Sequence, residues 1–336
     1  MKRVFVLLFI ILLAGCSKNE IQERYFYDEM IMNTIFEIIV YSAEDQNTIE
    51  KTVNGAFGIA RDMENKYSVM ITNSMIYELN HRTNDSVVIA DDELKMLLRN
   101  SLSLSKKTKG AFDITIEPLN HLWGFYVEED FHLPSEDEIS NTLETVGYSR
   151  LSNTSKGYMI NTNIHIDLGG MLKGYAVDCM VDYLISNGIK SGIVNAGGNL
   201  KVFGNKPANA SEKNPKWVIG IKHPRDLNEI YNTVLLSRDK SISTSGDYEK
   251  YFITNGIRYH HILNPATGCP ARNGLVSVSV VMVKAVDADM LSTSLFVMGL
   301  NKGIEYADKN HIPALFITET NGTLSEKSSI YWSYNN

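Results

Sequence analysis

Ile166-Asp167-Leu168-Gly169-Gly170-Met171-Leu172-Lys173-Gly174 decides how this chain is read, because here a strand-like run ends in a glycine pair and opens into a helical pattern. Beyond it Ala176, Val177, Met180, Val181, Leu184 and Ile185 recur at helical spacing and Gly188 supplies a stop, which predicts a helix over 170–187. The glycines stand as Gly-Gly-x-x-x-Gly, not Gly-x-Gly-x-x-Gly, so the likeness to a dinucleotide fingerprint is superficial. Backbone amides at a helix start attract anions, and Lys173 in the first turn can meet phosphate oxygens as a point charge. Close strand-to-helix packing through glycines would give the same spelling.

Outward from this segment, residues 34–41 are rich in β-branched and aromatic side chains and read as a first strand, with the fold beginning near Tyr25. Helical spacing covers 47–65 through Ile49, Val53, Ala56, Phe57, Ala60 and Met63, and also 91–107. Ser135 and Glu138, after Pro134, spell a capping box for a short helix ending near Gly147. Strand-like runs follow at 164–166, 193–195, 217–222, 259–263 and 276–283, then a helix over 288–298 and a last strand at 315–318. Strands and helices are interspersed without a regular βαβ rhythm, so the expected class is α+β, arranged as two lobes meeting at a cleft.

The 336 residues, 44% of them hydrophobic, can fill a sizeable core. A net charge of -7 without any basic stripe argues against a nucleic-acid partner. Lys2 and Arg3 precede an apolar run over 4–13 and then Leu13-Ala14-Gly15-Cys16, which reads as a signal peptide (1–15) closing on a lipobox. Lipid on Cys16, a tether to residue 24 and a single domain over 25–336 would make an exported lipoprotein at the cell membrane, facing away from the cytoplasm. Acyl chains hold by about 0.8 kcal/mol per buried methylene. Cys179 and Cys269 are too few for a disulfide framework and are not spaced as metal ligands; Cys179, in a helical pattern, reads as a small buried hydrophobe.

Other segments carry the residue types of phosphate and metal sites. Gly110-Ala111-Phe112-Asp113-Ile114-Thr115 is a tight turn with an aspartate that could equally cap it, while 195–199 and 243–248 could be hairpin or strand-end turns. His260 and His261 are adjacent on a strand and must face opposite sides, so at most one enters a given cleft. If a helix starts near Ala288, Asp289, Ser292 and Thr293 stand at i, i+3 and i+4 and present carboxylate and hydroxyl oxygens together, a set suited to Mg²⁺. Asp289 as a simple helix cap is the bland alternative.

Taken in order, these segments resemble the ApbE family of FAD:protein FMN transferases over about 32–299, through Met32-Asn33-Thr34, 68–80, 110–115, 118–125, 167–174, 195–199, 244–248, 261–268 and 289–293. The resemblance implies a T-fold-related domain in which Met32, Ala111, Phe112, Asp113, Asp167, Lys173 and Ile262 line an FAD site. It implies Mg²⁺ held by Asp289 and Thr293, helped by a backbone carbonyl near Gly170 and by Ser292. His261 and Asp247 would lie near the chemistry as alternative bases, with Lys173 offsetting charge.

The implied reaction transfers FMN from FAD to a threonine hydroxyl of an exported acceptor protein and releases AMP. Hydrolysis of FAD to FMN and AMP is the nearest rival, and a flavin-binding lipoprotein without turnover the next. Two positions depart from the family pattern: Asn33 stands where glycine is usual, and Met70 where an aromatic usually follows the serine. Methionine can pack on an isoalloxazine ring but cannot stack as an aromatic does.

Overall fold

The computed structural model describes residues 22–83, 86–127, 130–154, 157–161, 163–207 and 215–332, so the signal segment, Cys16 and most of the loop over 206–216 lie outside the described residues. The first half contains β1 (Glu23–Ile31), β2 (Thr34–Ser42), α1 (Gln46–Tyr67), α2 (Met75–Asn80), β3 (Ser86–Val88), α3 (Asp92–Lys107), α4 (Glu117–Leu122), α5 (Glu136–Leu143), β4 (Ser152–Thr154) and β5 (Gly157–Asn161). Then follow α6 (Gly169–Ser186), β6 (Gly192–Ala196), β7 (Asn199–Phe203), β8 (Trp217–Lys222), β9 (Ile230–Leu236), β10 (Ser241–Gly246), β11 (Tyr251–Thr254) and β12 (Ile257–His260). The chain closes with β13 (Leu275–Met282), α7 (Ala285–Met298), α8 (Leu300–Lys309), β14 (Ala314–Thr320) and β15 (Thr323–Ser328).

The main sheet runs β1-β2-β6-β7-β10-β13-β14-β15, and each neighbouring pair is antiparallel. With helices packed against it this is an α+β fold. Strand β2 alternates, burying Phe36, Ile38 and Val40 in the core that the apolar stripe of α1 (Ile49, Val53, Ala56, Phe57, Ala60) also enters. Strands β13 and β14 are covered on both faces. Val278, Val280, Ala314 and Phe316 pack with Leu291, Leu295 and Phe296 of α7. Val276, Val281, Leu315 and Ile317 pack with Trp217, Ile219, Val234 and Leu236 of the β8–β9 hairpin. That double burial is why β13 carries no charged residue, only two buried serines among its apolar side chains, and why β14 opens on the apolar run Ala314 to Ile317.

Three expectations are corrected here. Residues 164–166 form no strand: the Ile166 amide and carbonyl are both taken by the Asn80 side chain, at 2.9 Å each, so a side-chain amide replaces a strand partner. The run at 259–263 ends as a strand at His260. Of the segment over 243–248, for which a strand-end turn is one reading, Ser243 to Gly246 belong to β10, an interior strand paired on both sides, and a turn follows at 247–248. Helix α7 begins at Ala285, because the amides of Ala285 and Val286 donate to Asp178 of α6 at 3.1 Å each and no local side chain caps it.

The capping box at Ser135 and Glu138 does form, although α5 stops at Leu143. Cys179 and Cys269 are free thiols, and burial pushes Cys179 up to about 11. Among the described residues no helix is long and apolar enough to cross a membrane.

Candidate active site

The β1–β2 turn, the end of α1, the segment before α4, the start of α6, the end of β10, the residues after β12 and one face of α7 enclose a cleft of about 510 Å³, a size suited to a cofactor-sized ligand. In the turn, Met32 and Asn33 have φ of 51° and 56°, the two left-handed positions of a two-residue hairpin. Asparagine tolerates that conformation better than other side chains, so Asn33 preserves the turn where glycine is usual. The Met32 amide donates to Glu64 Oε1 at 2.8 Å, which ties the turn to α1. Met70 sits exposed on the cleft wall, its amide donating to Ser68 Oγ at 3.1 Å.

Ala111 and Phe112 also line the cleft. Asp113 is spent within the protein. Its Oδ1 accepts from the Thr115 amide (2.8 Å) and hydroxyl (2.6 Å), and Oδ2 from the Tyr148 amide (2.7 Å). Burial still pushes its carboxyl up, and its contribution to the cleft is the shape of the capped turn. Asp167 is held by three donors: the Gly169 amide to Oδ1 at 2.7 Å, with Asn120 Nδ2 at 3.0 Å and Tyr126 Oη at 2.9 Å to Oδ2. Burial, and after it the Asp167 charge, raises the Tyr126 phenol well above its usual range.

The glycines that open α6 have separate uses. A Cβ at Gly170 would lie 3.1 Å from the Phe112 ring, and one at Gly174 would lie 2.5 Å from the Ala285 carbonyl oxygen and 2.8 Å from Asp289 Cβ. Only glycine lets α6 approach α7 this closely, and the approach lets the Gly174 amide donate to Asp289 Oδ2 at 2.9 Å. In a regular helix that amide would donate to the Gly170 carbonyl; here Asp289 competes for it. The first turn of α6 thus brings Gly169, Gly170 and Lys173 to the cleft, at the helix end that favours anions.

On α7, Asp289 and Thr293 line the cleft, and Ser292 does not. Ser292 is fully buried. Its hydroxyl donates to the Asp289 carbonyl at 3.0 Å and lies 2.8 Å from Ser245 Oγ, so it faces β10. Thr293 Oγ1 lies 3.2 Å from Ser245 Oγ. Asp289 is 5% exposed, and burial pushes its carboxyl up to about 6 although Lys173 and the Gly174 amide pull the other way.

Among the described residues no cluster of three or more His, Cys, Asp and Glu side chains makes an all-side-chain metal site. What the cleft does hold is a buried carboxylate outside any salt bridge among the described residues and a hydroxyl one helical turn on, oxygen ligands of the kind that fit Mg²⁺.

The two histidines line different cavities, although β12 ends at His260. His261 lines the cleft, its Nδ1 3.2 Å from the Lys250 carbonyl. Burial first, and then His260, Lys173 and Lys250, push its imidazole down to about 3, so the ring is neutral. With Nδ1–H donating to that carbonyl, the lone pair sits on Nε2. Asp247 is not brought to the cleft. It lines a neighbouring cavity, and its two oxygens accept from Arg225 at 2.7 and 2.9 Å, so it is placed neither to meet nor to deprotonate a group in the cleft. Ile262 is buried against the cleft beside His261.

Glu64, Asn120, Tyr126, Ser245 and Lys250 also line the cleft. Nothing in the local sequence singles out Glu64, Tyr126 or Lys250; Ser245 was within a recognised segment, and the polar face of 118–125 could have marked Asn120.

The sequence profile of the ApbE family matches residues 32–316. The FAD:protein FMN transferase of Vibrio cholerae is 30% identical over 327 residues, covering 95% of this chain and 94% of that protein. The Haemophilus influenzae protein of the same name is 31% identical over 294 residues, covering 84% and 83%. The crystal structure of the ApbE protein of Thermotoga maritima is similar with a TM-score of 0.84 at 30% identity, covering 93% of this chain and 99% of that one. For the apo flavinyl transferase ApbE of Pseudomonas stutzeri the TM-score is 0.81 at 27% identity, covering 94% and 97%. With its profile matched across most of its length and its fold shared with these structures, the chain belongs to the ApbE family.

Proposed function

We propose that this chain transfers the FMN moiety of FAD to a threonine hydroxyl of an acceptor protein and releases AMP. The observation that carries the reading is the convergence, in one cleft, of the α6 N-terminus, Lys173 and the Asp289–Thr293 pair, a place built for the pyrophosphate of FAD. Relatives named FAD:protein FMN transferase along nearly their whole length support it.

The threonine oxygen bonds to the FMN-side phosphorus, the bond from that phosphorus to the bridging oxygen breaks, and AMP leaves with the bridging oxygen. The hydroxyl proton goes to Nε2 of His261. An anionic substrate opposes the effect of Lys173 and Lys250 on that ring and so raises its basicity. Lys173 and the α6 amides meet the charge of the phosphates. Asp289, Thr293 and the Gly170 carbonyl would hold Mg²⁺, which when bound supplies Lewis-acid stabilisation of the pyrophosphate. Met32, Met70, Phe112 and Ile262 would bound the flavin, with Asp167 held as an acceptor by Asn120 and Tyr126.

The same reading includes export, with lipid on Cys16 tethering the domain to a membrane on the side where an exported acceptor is found. Incubation of the soluble domain with FAD, Mg²⁺ and an acceptor bearing the threonine tests the reaction by flavin fluorescence of the denatured acceptor band together with AMP release. A fluorescent band lost in Asp289→Ala is expected. AMP appearing without a band would give the activity to hydrolysis, and flavin bound without AMP would leave a carrier.

A further inference from the structure

Beside the cleft lies a second cavity of about 260 Å³ that shares none of its lining residues. Consecutive residues serve the two: His261 and Gly246 face the cleft, whereas His260 and Asp247 face the second cavity. Three arginines, Arg225, Arg258 and Arg272, line this cavity against two carboxylates, Asp247 and Glu319. Arg225 is fully engaged, donating to Asp247 at 2.7 and 2.9 Å and to Glu319 at 2.9 and 2.7 Å.

Arg258 and Arg272 are different, because neither forms a salt bridge among the described residues. Each is oriented by an aromatic face instead. The Arg258 guanidinium lies 3.7 Å from the centroid of Tyr251, and that of Arg272 lies 5.1 Å from the centroid of Tyr259. Stacking engages the face of a guanidinium and leaves its edge donors available. Among the described residues the further hydrogen bond in this pair is a long one from Arg258 Nη1 to the Asp247 carbonyl at 3.4 Å.

The independent observation is His260. It is 4% exposed, it lines this cavity, and its buried Nδ1 has no hydrogen-bond partner among the described residues. A buried ring nitrogen without a partner is costly, and native structures leave few of them. A ligand that completes it also meets two oriented guanidiniums.

We propose that this cavity is an anion site that takes a phosphate group, whose oxygens are received by Arg258, Arg272 and Nδ1 of His260. Two guanidiniums without carboxylate partners match a dianion, and the edge of a guanidinium fits phosphate oxygens in pairs. Burial, above all, pushes the His260 ring down to about 4; the Asp247 charge and the Ala271 backbone oppose it, and Arg258 and Arg272 add to it. A bound dianion offsets the arginines and lets Nδ1 carry a proton toward it. The phosphate comes either from solution or on a nucleotide such as AMP.

Thermal unfolding of the soluble domain, titrated with inorganic phosphate at an ionic strength held constant with chloride, tests the site. The expected result is a saturable rise in Tm with phosphate that chloride does not give. Arg272→Gln, at an exposed side chain whose loss leaves folding intact, weakens the apparent affinity about tenfold. Arg258→Gln with Arg272→Gln abolishes the rise while FAD binding persists. The ring nitrogen resonances of His260 move as phosphate is added, which reads the site even if the double variant folds poorly. AMP that competes with phosphate for the His260 shift assigns the group to the nucleotide, and AMP that does not assigns it to free phosphate. No phosphate-specific rise in the parent chain, or a rise unchanged in Arg272→Gln with the His260 signals unmoved, overturns the proposal.

Discussion

Replacing Gly174 by alanine sets two known effects against each other. Helix propensity favours alanine over glycine by about 1 kcal/mol in a helix interior. Packing opposes it, because the new Cβ would lie 2.5 Å from the oxygen and 2.7 Å from the carbon of the Ala285 carbonyl, backbone atoms that cannot rotate aside. The two helices must separate by about 1 Å, and such overpacking costs about 1–3 kcal/mol. Separation also stretches the bond from the Gly174 amide to Asp289, and hydrogen bonds to charged groups contribute about 1.5–3 kcal/mol. The net expectation is a loss of about 2 kcal/mol.

Gly58, inside α1, is the control: its Cβ would meet only the far end of Arg61 at 3.7 Å, so Gly58→Ala should stabilise by about 1 kcal/mol. Urea denaturation of the three proteins reads both values, and the Mg²⁺ concentration needed for half-maximal flavin transfer should rise in Gly174→Ala alone. Equal stability of the two variants, with unchanged metal dependence, would mean that the α6–α7 contact does not position Asp289.

Further outcomes follow from the same contacts. Asp178→Ala removes the acceptor of the first two α7 amides and leaves Lys201, 2.6 Å from it, buried without its partner, so the chain should lose about 3–5 kcal/mol in denaturant titration. Burial raises the folded-state pKa of Asp289 from 3.8 to about 6, a penalty of about 3 kcal/mol when ionised. Without metal, that penalty is present above pH 6 and fades as pH falls through 6 toward 3.8. Stability in a chelator should therefore gain over this window relative to Asp289→Asn, and Mg²⁺ affinity should fall over the same window. Tyr126→Phe leaves Asp167 with the Asn120 and Gly169 donors, so it should cost about 1 kcal/mol of stability and raise the KM for FAD more than it lowers kcat.

The parts legible in the sequence are those whose causes are local. Asp91 and Ser135 mark the starts of α3 and α5 because their side chains bond amides two turns or less away. The stripe of α1 and the alternation of β2 announce a single buried face. What was misread has causes distant in sequence. The start of α7 depends on Asp178, and the extended stretch at 164–166 on Asn80.

Strand β10, Ser241–Gly246, has the composition of a turn because its hydroxyls pair with one another inside the fold: Thr244 with Ser279, and Ser245 with Ser292 and Thr293. In the site, Asp289 and Thr293 share the cleft as their spacing suggests, whereas Ser292 is drawn toward β10 and Asp247 toward Arg225. Neither departure could be read without knowing which strand lies beside α7.

The most direct measurement is mass spectrometry of an acceptor protein after incubation with this chain, FAD and Mg²⁺. One FMN per acceptor, mapped to a threonine side chain and absent with Asp289→Asn, is expected. An acceptor of unchanged mass, while AMP accumulates at the same rate, would show that water and not a protein hydroxyl receives the phosphoryl group in this cleft.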